Sequence, residues 1–322
     1  MPVQPTADQL RIAQIFFPSA FELQTRAIAQ KTRFVHYTSA DSAIQIFRSK
    51  EVWMRKSSCM NDFMEVQHGL NCLSAAYNKT TTGERFKAAL NHAFDGISTE
   101  IETLFNGWMP HFQADTYFSC VSEHSSLEDR IGRLSMWRAY GVTTGVAIVM
   151  NNAAFLNPSD ALGAYTSPVG YLRDQEFERE LEKIASNIEA EATFLASLDR
   201  ESVKGTVFAM LRFAALCTKH PGFREEQEWR VVFSPTLLKS DLLVREIRVI
   251  DGVPQPIYKI PLRDIPDKGL VGIEIPQLVE RVIIGPTQYP SAIREAFVDI
   301  LREAGVQDAE GKVFVSDIPL RR

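Results

Sequence analysis

The sequence predicts an α+β fold in a single elaborated domain. Short alternating or β-branched segments cluster in several parts of the 322-residue chain, and helical segments are inserted between them instead of following each strand in turn. Hydrophobic residues make up 45% of the chain, which is enough for a large core. Because no internal repeat, linker or low-complexity tract divides the sequence, we expect one continuous domain.

The N-terminal third is predicted to alternate between helices and short strands. The expected elements are a helical region over 7–30 broken at Pro18, a strand over 33–38, a helix over 39–50, a strand over 51–56 and mainly helical sequence to about Gly107. Ser39 is the expected N-cap of the second helical region, because its hydroxyl can accept a backbone hydrogen bond. Asp62 is expected to cap the helix that follows the loop over 57–69.

The remaining elements are predicted in the same way, from the 3.6-residue spacing of apolar residues in helices and the two-residue alternation in strands. They are a strand over 115–123, a helix over 126–141 ended by Gly141, a buried strand over 143–150, a strand pair over 164–172, a helical region over 174–218, a strand over 228–233, a hairpin over 244–262 with an Asp-Gly turn, a strand over 281–285, a helix over 291–305 and a last strand over 312–316.

The composition excludes several classes of protein. A formal net charge of −5 gives no global basic field of the kind that marks a dedicated nucleic-acid binder. The apolar runs fall far short of the roughly 20 residues that a membrane span requires, and the N-terminal residues lack the pattern of a secretory signal. No close pairing or zinc-type spacing relates the four cysteines, Cys59, Cys72, Cys120 and Cys217. We expect a cytoplasmic protein with reduced thiols, no metal site and no membrane partner.

The first strand ends in an unusual polar triplet, His36-Tyr37-Thr38. Strand alternation puts Phe34, His36 and Thr38 on one face, and Val35 and Tyr37 on the other. One interpretation is a half-buried histidine bonded to a nearby carbonyl. The other is a ligand-binding group at the end of a strand, assisted by Tyr37 or Thr38.

A group of acidic residues precedes the strand over 228–233. Glu226 and Glu228 share a face by the two-residue period of a strand. Charges of this kind commonly protect an exposed strand edge, and Arg230 on the same face allows a plain ion-pair network. Alternatively, repulsion between two neighbouring carboxylates raises the pKa of one of them and creates a site that can hold a cation or take a proton.

Hydroxyls and aromatic side chains supply further candidates. Ser119 is expected on the opposite face from Cys120 and Ser122, near the end of the third predicted strand, where serines usually form turns. Trp137 and Tyr140 lie on one helical face, where core packing is the common role. No GxSxG, GxGxxG or GxxxxGK[ST] motif occurs, so the familiar hydrolase and phosphate-binding loops are absent from the sequence.

Six motifs in a fixed order resemble a widespread bacterial and phage-associated domain family of unknown function. They are the His36-Tyr37-Thr38 start, the Asn61-Asp62-x-x-Glu65 loop, the Cys120-x-Ser122 strand end, the Trp137-x-x-Tyr140 helix, the Glu226-x-Glu228-x-Arg230 strand and the later "VIIGP" with "VFVSDIPLR". The resemblance spans residues 33–322. It leaves 1–32 as an N-terminal helical extension and 174–218 as a helical insertion.

That family in turn resembles the ADP-ribosyltransferase superfamily more distantly. This resemblance implies a split mixed β-sheet with NAD as the substrate. His36 and Thr38 are then expected to bind the adenosine-side ribose. Glu228 is expected to bind the nicotinamide ribose and stabilise the oxocarbenium-like charge, and Glu226 is expected to orient or deprotonate the acceptor. Four side chains, Ser119, Ser122, Trp137 and Tyr140, compete for the middle position of the superfamily pattern, and Tyr37 or Tyr140 is expected to stack on nicotinamide.

The resemblance implies an ADP-ribosyltransferase acting on a macromolecule, as a bacterial toxin or antiphage effector that a neutralising protein can oppose. RNA and DNA are among the expected acceptors. A basic cluster offers phosphate contacts, although a solvated strand-turn surface is the favoured explanation; its members are Arg48, Lys50, Arg55 and Lys56. The alternatives are an NAD glycohydrolase that uses water as acceptor, and a non-catalytic interaction module in a defence or regulatory complex.

Overall fold

The computed structural model describes residues 5–60, 64–141, 144–156, 160–250 and 252–320. Its helices are α1 (Ala7–Phe16), α2 (Pro18–Ala29), α3 (Ala40–Ser49), α4 (Glu65–Lys79), α5 (Thr81–Ala93), α6 (Ile97–Ala114), α7 (Leu134–Tyr140), α8 (Ala153–Leu156), α9 (Asp174–Ala190), α10 (Ala192–Ala196), α11 (Arg200–Leu216), α12 (Ile275–Leu278), α13 (Pro290–Glu303) and α14 (Ala309–Lys312).

The strands alternate irregularly with these helices along the chain. They are β1 (Arg33–Ser39), β2 (Glu51–Lys56), β3 (Tyr117–His124), β4 (Gly145–Met150), β5 (Ala164–Pro168), β6 (Gly170–Tyr171), β7 (Thr218–Lys219), β8 (Glu228–Phe233), β9 (Val244–Ile250), β10 (Val253–Pro261), β11 (Val279–Ile284) and β12 (Val313–Val315). The α+β class and the single domain are therefore as predicted.

Strand β3 is the branch point of a mixed sheet. β8 pairs with it from Tyr117 to Ser122 along one edge. On the other edge, β2 pairs with the start of β3 and β1 with its end, so β1 and β2 diverge from a common strand. The β1 branch continues through β4 and β11 to β12, and the β2 branch continues through β10 to β9. Only the β11–β12 pair of this sheet is parallel among the described residues.

The two faces of the sheet are covered by different helices. Phe118 and Val232 on one face pack against buried residues of α4, α5, α6, α9 and α11, which form a helical bundle. Phe34 and Ile148 on the other face pack with Ala27 of α2 and with buried residues of α3, α12 and α13. The predicted helical insertion over 174–218 is thus α9, α10 and α11, and it contributes to the bundle side.

Most predicted elements are confirmed near their expected bounds. The helical region over 7–30 is interrupted at Phe17, and Pro18 begins α2. Ser39 caps α3 by accepting a hydrogen bond from the Ser42 amide at 3.1 Å. β9 and β10 form the predicted antiparallel hairpin. Asn61, Asp62 and the Asp251 position of the predicted Asp-Gly turn lie outside the described residues.

Two predicted elements are wrong. The helix expected over 126–141 forms only from Leu134. Ser126–Glu128 is a separate 3₁₀ turn, and Gly132 adopts a left-handed φ of +68°, which a continuous α-helix does not allow. A Cβ at Gly132 would lie 2.4 Å from the Trp137 ring, so this position also needs glycine for space. The strands over 164–172 do not pair with each other, because β5 pairs with β8 and β6 pairs with β7.

The two N-terminal helices contribute to the hydrophobic cores on opposite faces of the sheet. Phe16 of α1 is buried in the core of the helical bundle, and Ala27 of α2 is buried in the core on the opposite face of the sheet. Across the residues that the structure describes, no helix is both long enough and apolar enough to cross a membrane.

Candidate functional site

The strand registers divide the predicted site residues between the two faces of the sheet. Ser122 pairs with Glu228 and Cys120 with Arg230, so these four side chains share one face, which we call the carboxylate face. Ser119 pairs with Val231 and lies on the other face, which we call the cavity face.

The register of β1 makes the same division one strand further along. Val35 is paired with Ser122, which puts Val35 and Tyr37 on the carboxylate face. His36 and Thr38 therefore lie on the cavity face. The structure does not bring His36 together with Glu228, and the prediction that both bind one NAD molecule is not supported by this arrangement. The reason is the pleat of the sheet, which sends alternate side chains to opposite sides.

Glu226 and Glu228 meet at one buried lysine on the carboxylate face. Lys219 Nζ donates to Glu226 Oε2 at 2.7 Å and to Glu228 Oε2 at 3.1 Å. The Lys219 side chain is 4% exposed, and the two glutamates are 15% and 6% exposed. Glu226 is therefore the member of the cluster that solvent or a ligand reaches more easily.

Arg230 completes this cluster from within the sheet. Its Nε donates to Glu228 Oε1 at 2.8 Å, and its Nη1 donates to the Leu216 carbonyl. Arg230 is fully buried, and its guanidinium lies 4.9 Å from the centroid of the Phe118 ring. The two cations and two carboxylates balance, which is what a buried group of charges requires.

The surroundings separate the proton affinities of the two glutamates. Burial would raise the pKa of Glu228, but attraction to Arg230 and Lys219 outweighs it and lowers that pKa to about 2. For Glu226, burial and repulsion from Glu228 outweigh the attraction of Lys219, and its pKa is raised above the ordinary value. At neutral pH Glu228 thus stays ionised, whereas Glu226 is the carboxylate that exchanges a proton more readily.

Two tyrosines line the cluster. Tyr140, at the end of α7, donates to Glu226 Oε1 at 3.4 Å. Tyr171 of β6 accepts a hydrogen bond from the Glu228 amide at 2.8 Å. Burial raises the pKa of both phenols, so both remain protonated donors. Phe223, whose ring lies 4.6 Å from Lys219 Nζ, is exposed beside them.

Arg133 fixes the turn that carries Glu226. Its Nη1 donates to the Glu225 carbonyl at 2.7 Å and to the Glu226 carbonyl at 3.2 Å. Its Nη2 donates to Oε1 of Gln227 at 2.9 Å, and Gln227 has a left-handed φ of 45°. Because L-residues rarely adopt this conformation, the turn is held by these contacts and not by local preference.

Tyr37 supports the same turn indirectly, through its contact with Arg133. Its hydroxyl accepts a hydrogen bond from the Arg133 amide at 2.9 Å. Its ring packs edge-on against Trp137, with 4.9 Å between the ring centroids. Trp137 is buried in the core, as the helical spacing predicted. Ser122 is 3% exposed and is paired with Glu228 on the neighbouring strand. Of the predicted cofactor-binding residues, Tyr37, Ser122 and Tyr140 therefore share the carboxylate face with both glutamates.

The other predicted residues lie across the sheet. Nδ1 of His36 is 3.0 Å from the carbonyl oxygen of Cys120, in the gap where β1 and β2 diverge. Thr38 pairs only with Val146 of β4 and lies beyond the end of the β1–β3 pairing. The carbonyl-bonded histidine is thus the interpretation whose contact the structure contains.

The predicted basic cluster is dispersed by the fold. Arg55 donates to the Cys59 carbonyl at 2.7 Å, and the register sends Arg55 and Lys56 to opposite faces of β2. Lys50 is the left-handed C-cap of α3. Within the described ranges, no three His, Cys, Asp or Glu residues are arranged to hold a metal ion.

Sequence reasoning missed three residues of this site: Lys219, Arg133 and Tyr171. Each belongs to a segment separate from the acidic motif, and only the pairing of β6 with β7 brings Tyr171 and Lys219 to the same place. A lysine directly after the apolar helix α11 was a weak signal, because buried lysines require a partner. The sequence did not indicate which carboxylates supply it.

Comparison with known proteins gives one partial match. Residues 136–231 match the model of a family described as a protein of unknown function (DUF2971). The matched segment contains Tyr140, Lys219, Glu226 and Glu228 but not β1. No curated protein and no solved structure matches the chain.

Proposed function

We propose that the protein is an ADP-ribosyltransferase-like enzyme. It cleaves NAD at the carboxylate face of the sheet and transfers ADP-ribose to a macromolecular acceptor. The observation that carries this proposal is the pair of carboxylates with opposite pKa shifts, Glu226 raised and Glu228 lowered. Pairs of titratable groups pushed apart in this way commonly divide the work of a general base and an electrostatic stabiliser.

In the proposed reaction, the bond between nicotinamide and C1′ of the ribose breaks, and nicotinamide leaves with the bonding electrons. Ionised Glu228 stabilises the positive charge that develops on the ribose. The acceptor attacks C1′ and loses its proton to Glu226, the more exposed carboxylate. Tyr140 and exposed Phe223 offer aromatic surface for the nicotinamide ring. His36, Thr38 and Ser119 have no role in this site, since they lie on the other face.

Water as the acceptor gives the related alternative, an NAD glycohydrolase. A non-catalytic module is a second candidate, and the observation that favours it is the complete pairing of Glu228. Oε1 of Glu228 is bonded to Arg230 and Oε2 to Lys219, as in a purely structural ion-pair network. Both enzymes release nicotinamide from NAD, whereas the non-catalytic module releases none.

The deciding measurement is nicotinamide release from NAD by the purified protein, with and without cell lysate. Glu226→Gln removes the proposed base, and Glu225→Gln changes the exposed neighbouring glutamate as a matched control. We expect the first variant to lose at least about a hundredfold in rate, or roughly 2.7 kcal/mol of transition-state stabilisation, and the second to behave as wild type.

Two outcomes separate the candidates further. Radiolabel from adenine-labelled NAD that appears on lysate macromolecules indicates transfer, whereas release without labelling indicates hydrolysis. Labelled nucleic acid would be tested by a salt titration of binding to RNA and DNA, because phosphate contacts weaken as salt rises. No release, together with no NAD binding at millimolar concentration, would leave the non-catalytic module.

A further inference from the structure

A large cavity lies between the cavity face of the sheet and the N-terminal helices. Its volume is about 670 Å³, within the range of roughly 300–1,000 Å³ typical of small-molecule sites. The floor is formed by side chains of β1, β3, β4, β5 and β8, and α1 and α2 contribute part of the wall. This space is separate from the carboxylate cluster, which lies on the other side of the same strands.

The lining of this cavity carries no formal charge. None of the described residues that line it is an Asp, Glu, Lys or Arg, and aliphatic and aromatic side chains predominate. Burying a charged group here would cost free energy without a counterion. A pyrophosphate is therefore a poor occupant, and NAD is not the molecule that this cavity fits.

Closely packed protein interiors rarely leave such a space unoccupied. Apolar cavities of roughly 150 Å³ already stay dry and bind small hydrocarbons, and the present cavity is several times larger. Its rim includes Leu10 and Ile28, which are 40% and 57% exposed. An apolar molecule could therefore enter past α1 and α2 and be held by contacts with the aliphatic wall.

Among the polar side chains that line the cavity, His36 and Ser119 lie on the neighbouring strands β1 and β3. His36 Nδ1 lies 3.0 Å from the Cys120 carbonyl, which can only accept, so Nδ1 must carry the hydrogen. In the neutral ring Nε2 is then a hydrogen-bond acceptor, and burial, which lowers the pKa of His36, favours that neutral form. Ser119, which is 8% exposed, follows on the next strand, and its hydroxyl has no hydrogen-bond partner among the described residues.

We propose that this cavity binds an uncharged, mainly aliphatic molecule that carries one hydroxyl group, such as a long-chain alcohol. The hydroxyl donates to His36 Nε2 and accepts from Ser119, and the chain lies along the aliphatic wall towards Leu10 and Ile28. This site is independent of the NAD chemistry proposed for the carboxylate face.

The proposal is tested by calorimetric titration with 1-decanol and, separately, with decanoate at pH 8. We expect saturable 1:1 binding of 1-decanol and binding of decanoate at least tenfold weaker, because its carboxylate would be buried without a cation. Both measurements use the wild-type chain, so they hold even if a variant fails to fold. Absent 1-decanol binding, or equal binding of the two probes, would overturn the proposal.

Three variants locate the site. Ser119→Val should weaken 1-decanol binding about fivefold through loss of one hydrogen bond. Ser122→Val, the matched change on the opposite face of the same strand, should leave binding unaltered. Ala13→Trp on α1 should abolish binding by filling the entrance.

Two results with these variants would contradict the assignment. One is an equal effect of the two serine substitutions, and the other is unchanged binding to Ala13→Trp. Displacement of 1-decanol by NAD would also contradict it, because the two ligands are assigned to opposite faces. Failure of nicotinamide release would not affect this test.

Discussion

The two faces of one sheet carry opposite chemistry in this molecule. On the carboxylate face, Lys219, Glu226, Glu228 and Arg230 are joined in one neutral network. On the cavity face, the same strands present an uncharged floor with isolated polar groups. The difference teaches that neighbours in sequence, such as His36 and Tyr37, can belong to unrelated sites. A substitution on one face should leave the function assigned to the other face unchanged. An effect on that other function would mean that the two faces are coupled.

The largest effect is expected at Glu228. Glu228→Gln leaves Arg230 fully buried without its carboxylate, which should lower the free energy of unfolding by about 3 kcal/mol. Urea unfolding at pH 7 measures this change, and Glu225→Gln serves as the exposed control, expected within about 0.5 kcal/mol of wild type. A wild-type free energy of unfolding for Glu228→Gln would show that the network contributes nothing to folding.

The pH dependence of stability should separate the two glutamates. Glu228 has a pKa of about 2 in the folded protein against 4.5 for the free side chain, so its contribution is complete above about pH 4.5 and is lost as the pH falls towards 2. Glu226 has a raised pKa, so its effect has the opposite sign, and stability decreases as the pH rises from about 4.5 through that pKa.

Urea unfolding between pH 2 and pH 8 would measure both effects. Glu228→Gln should remove part of the decrease in the free energy of unfolding that occurs below pH 4.5. Glu226→Gln should remove part of the decrease that occurs above pH 4.5. The acid-side effect is on the order of 3 kcal/mol. Identical pH dependence in wild type and Glu228→Gln would contradict the assignment of that loss to Glu228.

On the cavity face, His36→Ala should affect stability and not catalysis. The substitution leaves the Cys120 carbonyl without the imidazole, at an expected cost of about 1–3 kcal/mol in the free energy of unfolding. His36→Asn should recover part of it, since an amide N–H can donate to the same oxygen. Any nicotinamide release should stay within about twofold of wild type. A hundredfold loss in a folded His36→Ala protein would mean that the two faces act as one site.

The smallest effect is expected for Tyr140→Phe. The hydrogen bond from Tyr140 to Glu226 is long, at 3.4 Å, so its loss should change the free energy of unfolding by less than about 0.5 kcal/mol. The rate of nicotinamide release should fall by about threefold at most, because the ring remains. A loss near that of Glu226→Gln would instead place the phenol hydroxyl in the chemistry.

The sequence predicted most elements because their signals are local. Alternation in β3, the Ser39 cap and the hairpin over 244–262 each depend on a few adjacent residues. The helix over 126–141 was predicted too long because its apolar spacing concealed the left-handed conformation of Gly132. The Trp137 ring occupies the space where a Cβ of residue 132 would lie, and this packing in the folded protein is not visible in apolar periodicity.

The candidate site could be predicted only in part for a similar reason. Glu226 was predicted beside Glu228 from a strand period, but it ends a 3₁₀ turn before β8, and Lys219 brings the two carboxylates together. Strand periodicity correctly placed Ser119 opposite Ser122, because the two-residue period is local. It also placed His36 opposite Tyr37. The partners that balance the glutamates were not predictable, since Lys219 reaches them through β7, whose pairing with β6 depends on the whole fold. The resemblance to ADP-ribosyltransferases led to the prediction that His36 and Glu228 bind one NAD molecule. The pleat of the sheet instead puts the two side chains on opposite faces.

The branching of the sheet at β3 also predicts an order of local opening. Strand β3 has partners on both edges, whereas β9 and β12 lie at the ends of the two branches. Each branch joins β3 through only two or three paired residues. Amide protons in the middle of β3 and β8 should therefore be among the slowest to exchange with deuterated water, and the outer strands should exchange by fraying that leaves the centre protected.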